Sequence, residues 1–238
     1  MFAGVLNSSI MKRAQEQGLL EVHLVNIREF AEDRHGTVDD YPYGGGPGMV
    51  MKPEPVYEAI EWIREQMDAE PYVVLLSPQG RRFDSTCARE IAEKEAIILI
   101  AGHYEGFDER IRRLADVEIS IGDYVLTGGE LAAMVVLDAS IRFIPGVLGD
   151  ETSALADSFS DGLLEGPQYT RPSTYRGLSV PEVLLSGNHE AVHRWRRKES
   201  LRRTVQRRPE LLRSARLTFE DRRDLEEINE EQTNVKEL

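Results

Sequence analysis

Two short apolar runs constrain the fold of this chain most strongly, because neither alternates with polar residues. They are residues 72–76 (YVVLL) and 96–101 (AIILIA), and each is predicted to be a strand buried on both faces, as in a parallel sheet. Segments with helical spacing surround them, at 54–67, 85–94, 108–114 and 131–141. Strands that alternate with helices predict an α/β domain with a mostly parallel sheet at residues 1–150.

Three further strands are predicted from weaker patterns. Residues 19–27 (LLEVHLVNI) alternate between apolar and polar side chains, 117–121 (VEISI) is predicted to be another short strand, and 124–126 (YVL) is a short apolar run. A turn is predicted at 77–80 (SPQG), directly after the first buried strand. The apolar helix at 131–141 is predicted to be buried, either in the core or against a partner.

The chain is predicted to contain two domains joined by a linker. Residues 150–166 are rich in Gly, Ser, Asp and Ala with little periodicity, which is typical of a flexible interdomain linker. Helical patterns follow at 181–185, 191–206, 209–214 and 219–231. The predicted organisation is an α/β domain at 1–149, a linker at 150–166 and a small helical domain at 167–238.

Cysteine usage and hydropathy exclude several classes of protein. The only cysteine is Cys87, which excludes an internal disulfide and a cysteine-based zinc cluster. No apolar run approaches the roughly 20 residues that cross a bilayer, and the N-terminal stretch lacks the pattern of a signal peptide. The sequence therefore predicts a cytoplasmic protein with no membrane partner.

The charge is distributed unevenly along the chain. The formal net charge is −13, which by itself argues against a nucleic-acid partner. Residues 190–216, however, contain ten Lys or Arg against three acids, a local excess of the kind that contacts nucleic acid. The same block also fits a solvated amphipathic helix with Leu201, Val205, Leu211 and Leu212 facing inward.

Three glycine-containing loops follow predicted strands, at 75–80 (LLSPQG), 101–106 (AGHYEG) and 121–129 (IGDYVLTGG). Because parallel strands present their carboxyl ends on one side, the loops are expected to line one pocket. Its donors and acceptors are mostly backbone groups, which suits a nucleoside-like ligand. No Lys-Ser or Lys-Thr follows the glycines and no G-x-G-x-x-G fingerprint occurs, which argues against a triphosphate site and a Rossmann oxidoreductase.

Together with other segments, these loops resemble the bacterial tRNA (guanine-N1)-methyltransferases of the SPOUT class. The other segments are RHGTVDDYPYGGGPGM (34–49), RFIPGVLG (142–149), DSFSDGLLEGPQYTRP (157–172), VPEVLLSGNH (180–189) and RRPELL (207–212). The resemblance extends, in order, over essentially the whole chain. It implies an α/β fold with a SPOUT-type parallel sheet and a deep C-terminal trefoil knot, followed by a small helical C-terminal domain.

The resemblance implies that S-adenosylmethionine is the methyl donor and binds among the three loops. The implied donor-binding residues are Leu76, Ser77, Pro78, Gly80, Gly102, Tyr104, Glu105, Ser120, Ile121, Gly122, Asp123, Tyr124, Val125, Leu126, Gly128 and Gly129. The family has been linked to Mg²⁺, but nothing in the residue spacing here indicates a metal site.

The resemblance also implies which residues act in catalysis. Asp157 is expected to be the general base that takes the N1 proton of guanine, and Arg142 to stabilise charge on O6 or to orient the base. Without the resemblance, Asp157 fits a helix cap or a solvated acid, and Arg142 fits an ion pair, for instance with Asp138. The implied function is methyl transfer to N1 of guanosine 37 in tRNA, next to the anticodon.

The implied partners are a tRNA anticodon stem-loop and a second copy of the chain, with the active sites at the homodimer interface. The cations expected to contact RNA are Arg171, Arg176, Arg194, Arg197, Lys198, Arg202 and Arg203. Two other functions remain open. One is a SPOUT methyltransferase that acts on a ribose 2′-oxygen or on rRNA, and the other is an RNA-binding module that has lost catalysis.

The sequence departs from the family at its start. Family members begin with a strand and a Phe-Pro-Glu turn that precede Met-Phe, whereas this sequence starts at Met1-Phe2. We therefore expect the first strand of the sheet to be missing, and we hypothesise that Met1 is not the native start.

Overall fold

A computed structural model describes residues 1–149 and 157–236. The chain divides into two compact units, Met1–Gly149 and Asp150–Leu238, which are called the N-terminal and the C-terminal unit. No helix in the described ranges combines the length and the apolar run that a bilayer crossing requires.

The N-terminal unit contains a three-stranded parallel sheet with helices around it. A small antiparallel pair is formed by β1 (Asp39–Asp40) and β2 (Val50–Met51). The main sheet consists of β3 (Tyr72–Arg82), β4 (Ile97–Ala101) and β5 (Val117–Ser120), in the order β4-β3-β5. The helices are α1 (Ala3–Leu6), α2 (Ser9–Glu16), α3 (Pro53–Glu65), α4 (Ser85–Ala92) and α5 (Glu130–Ile141), with 3-10 helices at Ile27–Phe30 and Glu109–Leu114.

Strand β3 lies at the centre of the sheet, and its residues 73–76 are buried on both faces. Val73 and Leu75 pack against α3 on one face, while Val74 and Leu76 pack against α4 and α5 on the other. Burial on two sides explains why the apolar run does not alternate. The predicted α/β architecture with a parallel sheet is confirmed.

Two of the predicted strands are wrong. Within the described chain, residues 20–26 join no sheet, and Leu20 and Val22 pack instead against side chains of α1, α2 and α5. The alternation at 19–27 therefore reflects apolar side chains that pack on one side of the segment. A strand also needs a hydrogen-bonded neighbouring strand. Residues 124–126 form no strand either, and all three of their side chains are exposed.

The predicted turn at 77–80 is also wrong, because β3 continues through these residues to Arg82. In the register with β5, Ile119 pairs with both Leu76 and Arg81, so residues 77–80 form a bulge within β3. A strand tolerates proline at a bulge, where the ladder is interrupted. The Ser-Pro-Gln-Gly signal thus marks a break in the ladder and not the end of the strand.

The C-terminal unit consists of helices around a small core. Its elements are β6 (Thr174–Tyr175), β7 (Leu178–Ser179), α6 (Glu182–Leu185), α7 (His189–Arg207), a 3-10 helix at Pro209–Arg213 and α8 (Phe219–Lys236). Leu163, Leu201 and Ile228 are buried at its centre. The helices predicted at 191–206 and 219–231 are confirmed.

Part of the predicted linker belongs to this core. Leu163 is buried, the Leu164 N–H donates to Thr204 Oγ1 at 2.9 Å, and Arg203 donates to the Glu165 and Gly166 carbonyls at 3.1 Å. Residues 163–166 of the predicted linker therefore pack against α7 within the C-terminal unit. Residues 150–156 lie outside the described residues.

Asp221 stabilises the C-terminal unit through Arg197. It is 2% exposed and accepts hydrogen bonds from Arg197 Nε at 2.8 Å, Arg197 Nη2 at 2.9 Å and the Thr218 N–H at 2.8 Å. The hydrogen bonds from Arg197 lower the pKa of Asp221 to about 2. Because the pKa in the unfolded chain is about 3.9, this contribution to stability is complete above pH 4 and is lost as the pH falls towards 2.

We expect Asp221→Asn to lower the free energy of unfolding of the C-terminal unit by about 3 kcal/mol at pH 7, because Arg197 loses its buried partner. The variant should also lose less stability than the wild type between pH 4 and pH 2. Urea unfolding at pH 7 and at pH 3 measures both effects. The control is Glu227→Gln, which removes the exposed ion pair with Lys198 and should cost less than about 1 kcal/mol. Equal losses in the two variants would contradict the prediction.

Candidate active site

The register of the sheet brings the three glycine-containing segments to one edge. Leu76 of β3 is paired with Ala101 at the end of β4 and with Ile119 near the end of β5. The bulge at 77–80, the loop at 102–106 and the loop at 121–129 therefore begin in one row across the sheet. We call them the first, second and third loop.

The first loop lies directly on β5. The Gln79 N–H donates to Ser77 Oγ at 3.1 Å, which shapes the bulge. A Cβ added to Gly80 would lie 2.5 Å from the carbonyl carbon of Glu118 and would also overlap the backbone of Ile119. Only glycine permits this approach of two backbones. Pro78 and Gln79 are exposed at the tip of the bulge.

The second and third loops are joined through their backbones. The Gly129 N–H donates to the Gly102 carbonyl at 2.7 Å. A Cβ on Gly129 would lie 2.7 Å from Gly102 N and 2.8 Å from Ala101 Cα, and a Cβ on Gly102 would overlap the Phe107 ring. Glycine at 129 is therefore required by the contact between the two loops, and glycine at 102 by the Phe107 ring packed against it.

A side-chain pair joins the same two loops. His103 Nε2 hydrogen-bonds Glu130 Oε1, which belongs to the first turn of α5. A Cβ on Gly128 would lie 2.6 Å from His103 Cε1 and would overlap Glu130 as well. The pair thus encloses Gly128, and it fixes the start of α5 to the loop that follows β4.

The third loop is closed by a buried serine. Ser120 Oγ donates to the Gly122 carbonyl at 3.0 Å and accepts from the Gly122 N–H at 3.2 Å. Tyr124 OH donates to the Ile121 carbonyl at 3.3 Å. The side chains that follow, Asp123 to Leu126, are exposed. The loop is therefore fixed at its start and presents apolar side chains to solvent beyond it.

The second loop also contacts the glycine-rich segment 41–49. The Glu105 N–H donates to the Met49 carbonyl at 3.0 Å, and a Cβ on Gly48 would overlap the Glu105 side chain. Tyr104 has a φ of 63°, and its hydroxyl accepts a hydrogen bond from Arg28 Nη2 at 3.1 Å. Arg28 Nη1 donates to the Gly36 carbonyl at 2.9 Å. Arg28 thus ties Tyr104 to the segment before β1.

The two residues expected in catalysis lie in different units. Arg142 directly follows α5 in the N-terminal unit and is half-buried. Asp157 is half-buried in the C-terminal unit, and its carbonyl accepts from the Ser160 N–H at 3.2 Å. The turn that Asp157 begins leads into the segment held against α7, so its backbone position is defined within that unit.

Four of the seven cations expected on RNA have partners inside the C-terminal unit. Arg197 pairs with Asp161 and Asp221, Lys198 with Glu227 at 2.6 Å, and Arg202 with Glu199 and Glu231. Arg203 donates to the carbonyls of residues 165 and 166. Arg171, Arg176 and Arg194 are exposed. The basic block therefore stabilises the packing of α7 in addition to any contact with RNA.

The sequence patterns did not single out His103, Glu130 and Arg28. His103 stands inside the Ala-Gly-His-Tyr-Glu-Gly loop and Glu130 directly after Gly-Gly, so their positions beside the glycines were a usable signal. Arg28 lies 76 residues from Tyr104, and no local pattern connects the two. In the described ranges, no group of three or more His, Cys, Asp or Glu side chains could hold a metal ion.

Comparisons with known proteins agree on one family. Residues 1–214 match the family model described as tRNA (Guanine-1)-methyltransferase TrmD. The chain is 61% identical over 231 residues to the tRNA (guanine-N(1)-)-methyltransferase of Moorella thermoacetica, covering 96% of this chain and 92% of that protein. For the protein of the same name from Anoxybacillus flavithermus, identity is 58% over 228 residues, covering 95% and 93%. The one from Bacillus cereus (strain AH820) is 54% identical over 231 residues, covering 97% and 95%.

Proposed function

The chain belongs to the tRNA (guanine-1)-methyltransferase family of the SPOUT class, and we propose that it transfers the methyl group of S-adenosylmethionine to N1 of guanosine 37 in tRNA. The observation that carries the proposal is the meeting of three glycine loops at one edge of the sheet, in a chain whose family model covers residues 1–214. Residues 1–149 would bind the donor and residues 167–238 the tRNA.

The three loops fit a methyl donor with an uncharged adenine base. Gly80, Gly102 and Gly129 bring backbone groups together, and such groups match the hydrogen-bonding edge of a base. Tyr124 and Leu126 offer exposed apolar surface beside them. The donor-binding residues in this proposal are those named from the sequence: residues 76–78, 80, 102, 104, 105, 120–126, 128 and 129. When bound, the donor supplies an activated methyl group on a sulfonium.

The close approach of the loops also supports a trefoil knot in the N-terminal unit. Gly80 lies against the backbone of β5, and Gly129 lies against the backbone at the end of β4. Segments that thread through one another need such contacts without side chains between them. Knotted chains are rare, and in this proposal the glycines at 80, 102 and 129 are what the crossing requires.

Methyl transfer to guanine requires a general base. Guanine N1 carries a proton, and its lone pair becomes available only when that proton leaves. In this proposal the Asp157 carboxylate accepts the N1 proton. Arg142 donates hydrogen bonds to O6, where negative charge develops during proton removal. The loops hold the donor, so that the methyl group and N1 meet in line.

We also propose that the enzyme is a homodimer with its active sites at the interface. Helix α5 is apolar on most of its surface, yet Leu131 and Val135 are 45% and 46% exposed. The two residues are four apart and therefore lie on one face of the helix. A second copy of the chain packed on this face would cover them, close to Arg142 at the end of the same helix.

The function is tested with labelled S-adenosylmethionine and two tRNA transcripts, with G or A after the anticodon. We expect label on N1-methylguanosine from the G transcript alone, identified after digestion. Label on a 2′-O-methylnucleoside would support a ribose methyltransferase instead. Binding of tRNA without transfer would support an RNA-binding module that has lost catalysis.

We expect His103→Ala to raise the KM for S-adenosylmethionine by about five- to tenfold with kcat changed less than twofold. The hydrogen bond to Glu130 positions the second and third loops, and a charge-assisted bond contributes roughly 1.5–3 kcal/mol before the loops relax. Steady-state kinetics at saturating tRNA measure both constants. His103→Arg can still donate a hydrogen bond to Glu130 and should restore the KM. A kcat that falls while KM is unchanged would contradict a positioning role.

A further inference from the structure

The segment between Glu165 and Glu182 is the longest run in the sequence without an acidic residue. Residues 166–181 (GPQYTRPSTYRGLSVP) contain no acid and two cations, Arg171 and Arg176, in a chain with a net charge of −13. Every residue from 168 to 179 is exposed. We call residues 166–181 the acid-free segment. Its charge and exposure are those of a surface that receives an anionic partner.

The centre of this segment is a tight β-hairpin. Thr174 pairs with Ser179 and Tyr175 with Leu178, and the Val180 N–H donates to the Ser173 carbonyl at 2.9 Å. Arg176 and Gly177 form the two-residue turn with φ values of 51° and 80°, as in a type I′ turn, which matches the twist of the strands. The hairpin therefore has a defined shape without being buried.

The hairpin exposes an apolar pair on one face. Tyr175 and Leu178 are opposite each other in the ladder, and they are 61% and 77% exposed. The guanidinium carbon of Arg176 lies 5.3 Å from the centre of the Tyr175 ring, which is within the range of a cation–π contact. An aromatic ring, a planar cation and an aliphatic side chain thus lie together at the exposed end of the hairpin, and we call these three side chains the platform.

We propose that this platform binds an unpaired base of the tRNA substrate, with Tyr175 stacked on the base and Arg176 on the adjacent phosphate. The inference rests on the proposed function, since it assigns a contact to the same RNA. Unpaired bases in RNA loops are recognised by stacking on aromatic rings and guanidinium planes. Two exposed apolar side chains are far below the area of about 1,200 Å² that a stable protein interface buries, which favours RNA over a protein occupant.

The test uses the full-length protein and a tRNA transcript with guanosines at positions 36 and 37. We expect Tyr175→Ala to raise the Kd for this tRNA by about tenfold, the order of one lost base stack. The matched variant Tyr175→Phe keeps the ring and should bind within twofold of the wild type. Arg176→Gln should reduce the slope of log Kd against log salt by about one. The Kd for S-adenosylmethionine and kcat at saturating tRNA should not change in any variant.

An unchanged tRNA Kd in Tyr175→Ala would overturn the inference. A weakened tRNA Kd accompanied by a shift in sedimentation of the variant would also overturn it, because it would place a second copy of the chain on the platform. Failure of the proposed function has a different signature. If the wild type binds tRNA in a Tyr175-dependent way and transfers no methyl group, the platform is supported and the methyltransferase proposal is not.

Discussion

Replacing Asp157 with asparagine is expected to abolish measurable methyl transfer to tRNA, a loss of at least about 100-fold in kcat. Asparagine has nearly the same shape as aspartate, but its amide cannot accept the N1 proton of guanine at neutral pH. The N1 lone pair would then not become available. The Kd for S-adenosylmethionine should stay within twofold of the wild type, because the donor is proposed to bind among loops of the other unit.

The measurement combines single-turnover transfer of labelled methyl groups with calorimetry of donor binding. Asp68→Asn is the matched control, since Asp68 is an exposed acid in the N-terminal unit, and it should keep wild-type activity. If Asp157→Asn lost donor binding and transfer to the same extent, the residue would act in donor binding, and its assignment as the base would be wrong.

The second large effect is expected at Gly80. A methyl group at this position would lie 2.5 Å from the carbonyl carbon of Glu118, and no side-chain rotation relieves an overlap with backbone. We expect Gly80→Ala to lower the free energy of unfolding by about 3 kcal/mol, as overpacking in a fixed environment does. It should also weaken the binding of S-adenosylmethionine at least tenfold, because the bulge at 77–80 must move away from β5.

Urea unfolding and calorimetry of donor binding test this pair of effects. Gly4→Ala is the control, because a Cβ on Gly4 of α1 would meet no atom within 4 Å. Alanine is favoured over glycine in a helix, so the control should be neutral or more stable by up to about 1 kcal/mol. A Gly80→Ala protein with wild-type stability would show that the bulge is not constrained by β5.

Elements with a strong local cause were predicted correctly. The helix at 53–65 follows from its apolar spacing, and α4 begins where Asp84 accepts a hydrogen bond from the Cys87 N–H. The strands at 72–76 and 97–101 follow from continuous apolar sequences, which are buried when both faces of the sheet are covered. The wrong predictions concern segments for which the sequence did not show a neighbouring strand. The alternation at 19–27 is satisfied by packing alone, and the apolar run at 124–126 is exposed on a loop.

The sequence by itself determined the three glycine loops, the family and the central parts of the three sheet strands, at 72–76, 97–101 and 117–120, because these depend on local composition and on motifs of fixed spacing. Only the tertiary structure decided that Gly129 N–H meets the Gly102 carbonyl, that His103 meets Glu130 and that four of the expected RNA cations pair within the C-terminal unit. The physical reason is distance along the chain. A contact between residues 24 to 38 positions apart depends on the register of the strands and the packing of whole helices, and local sequence does not encode either of these.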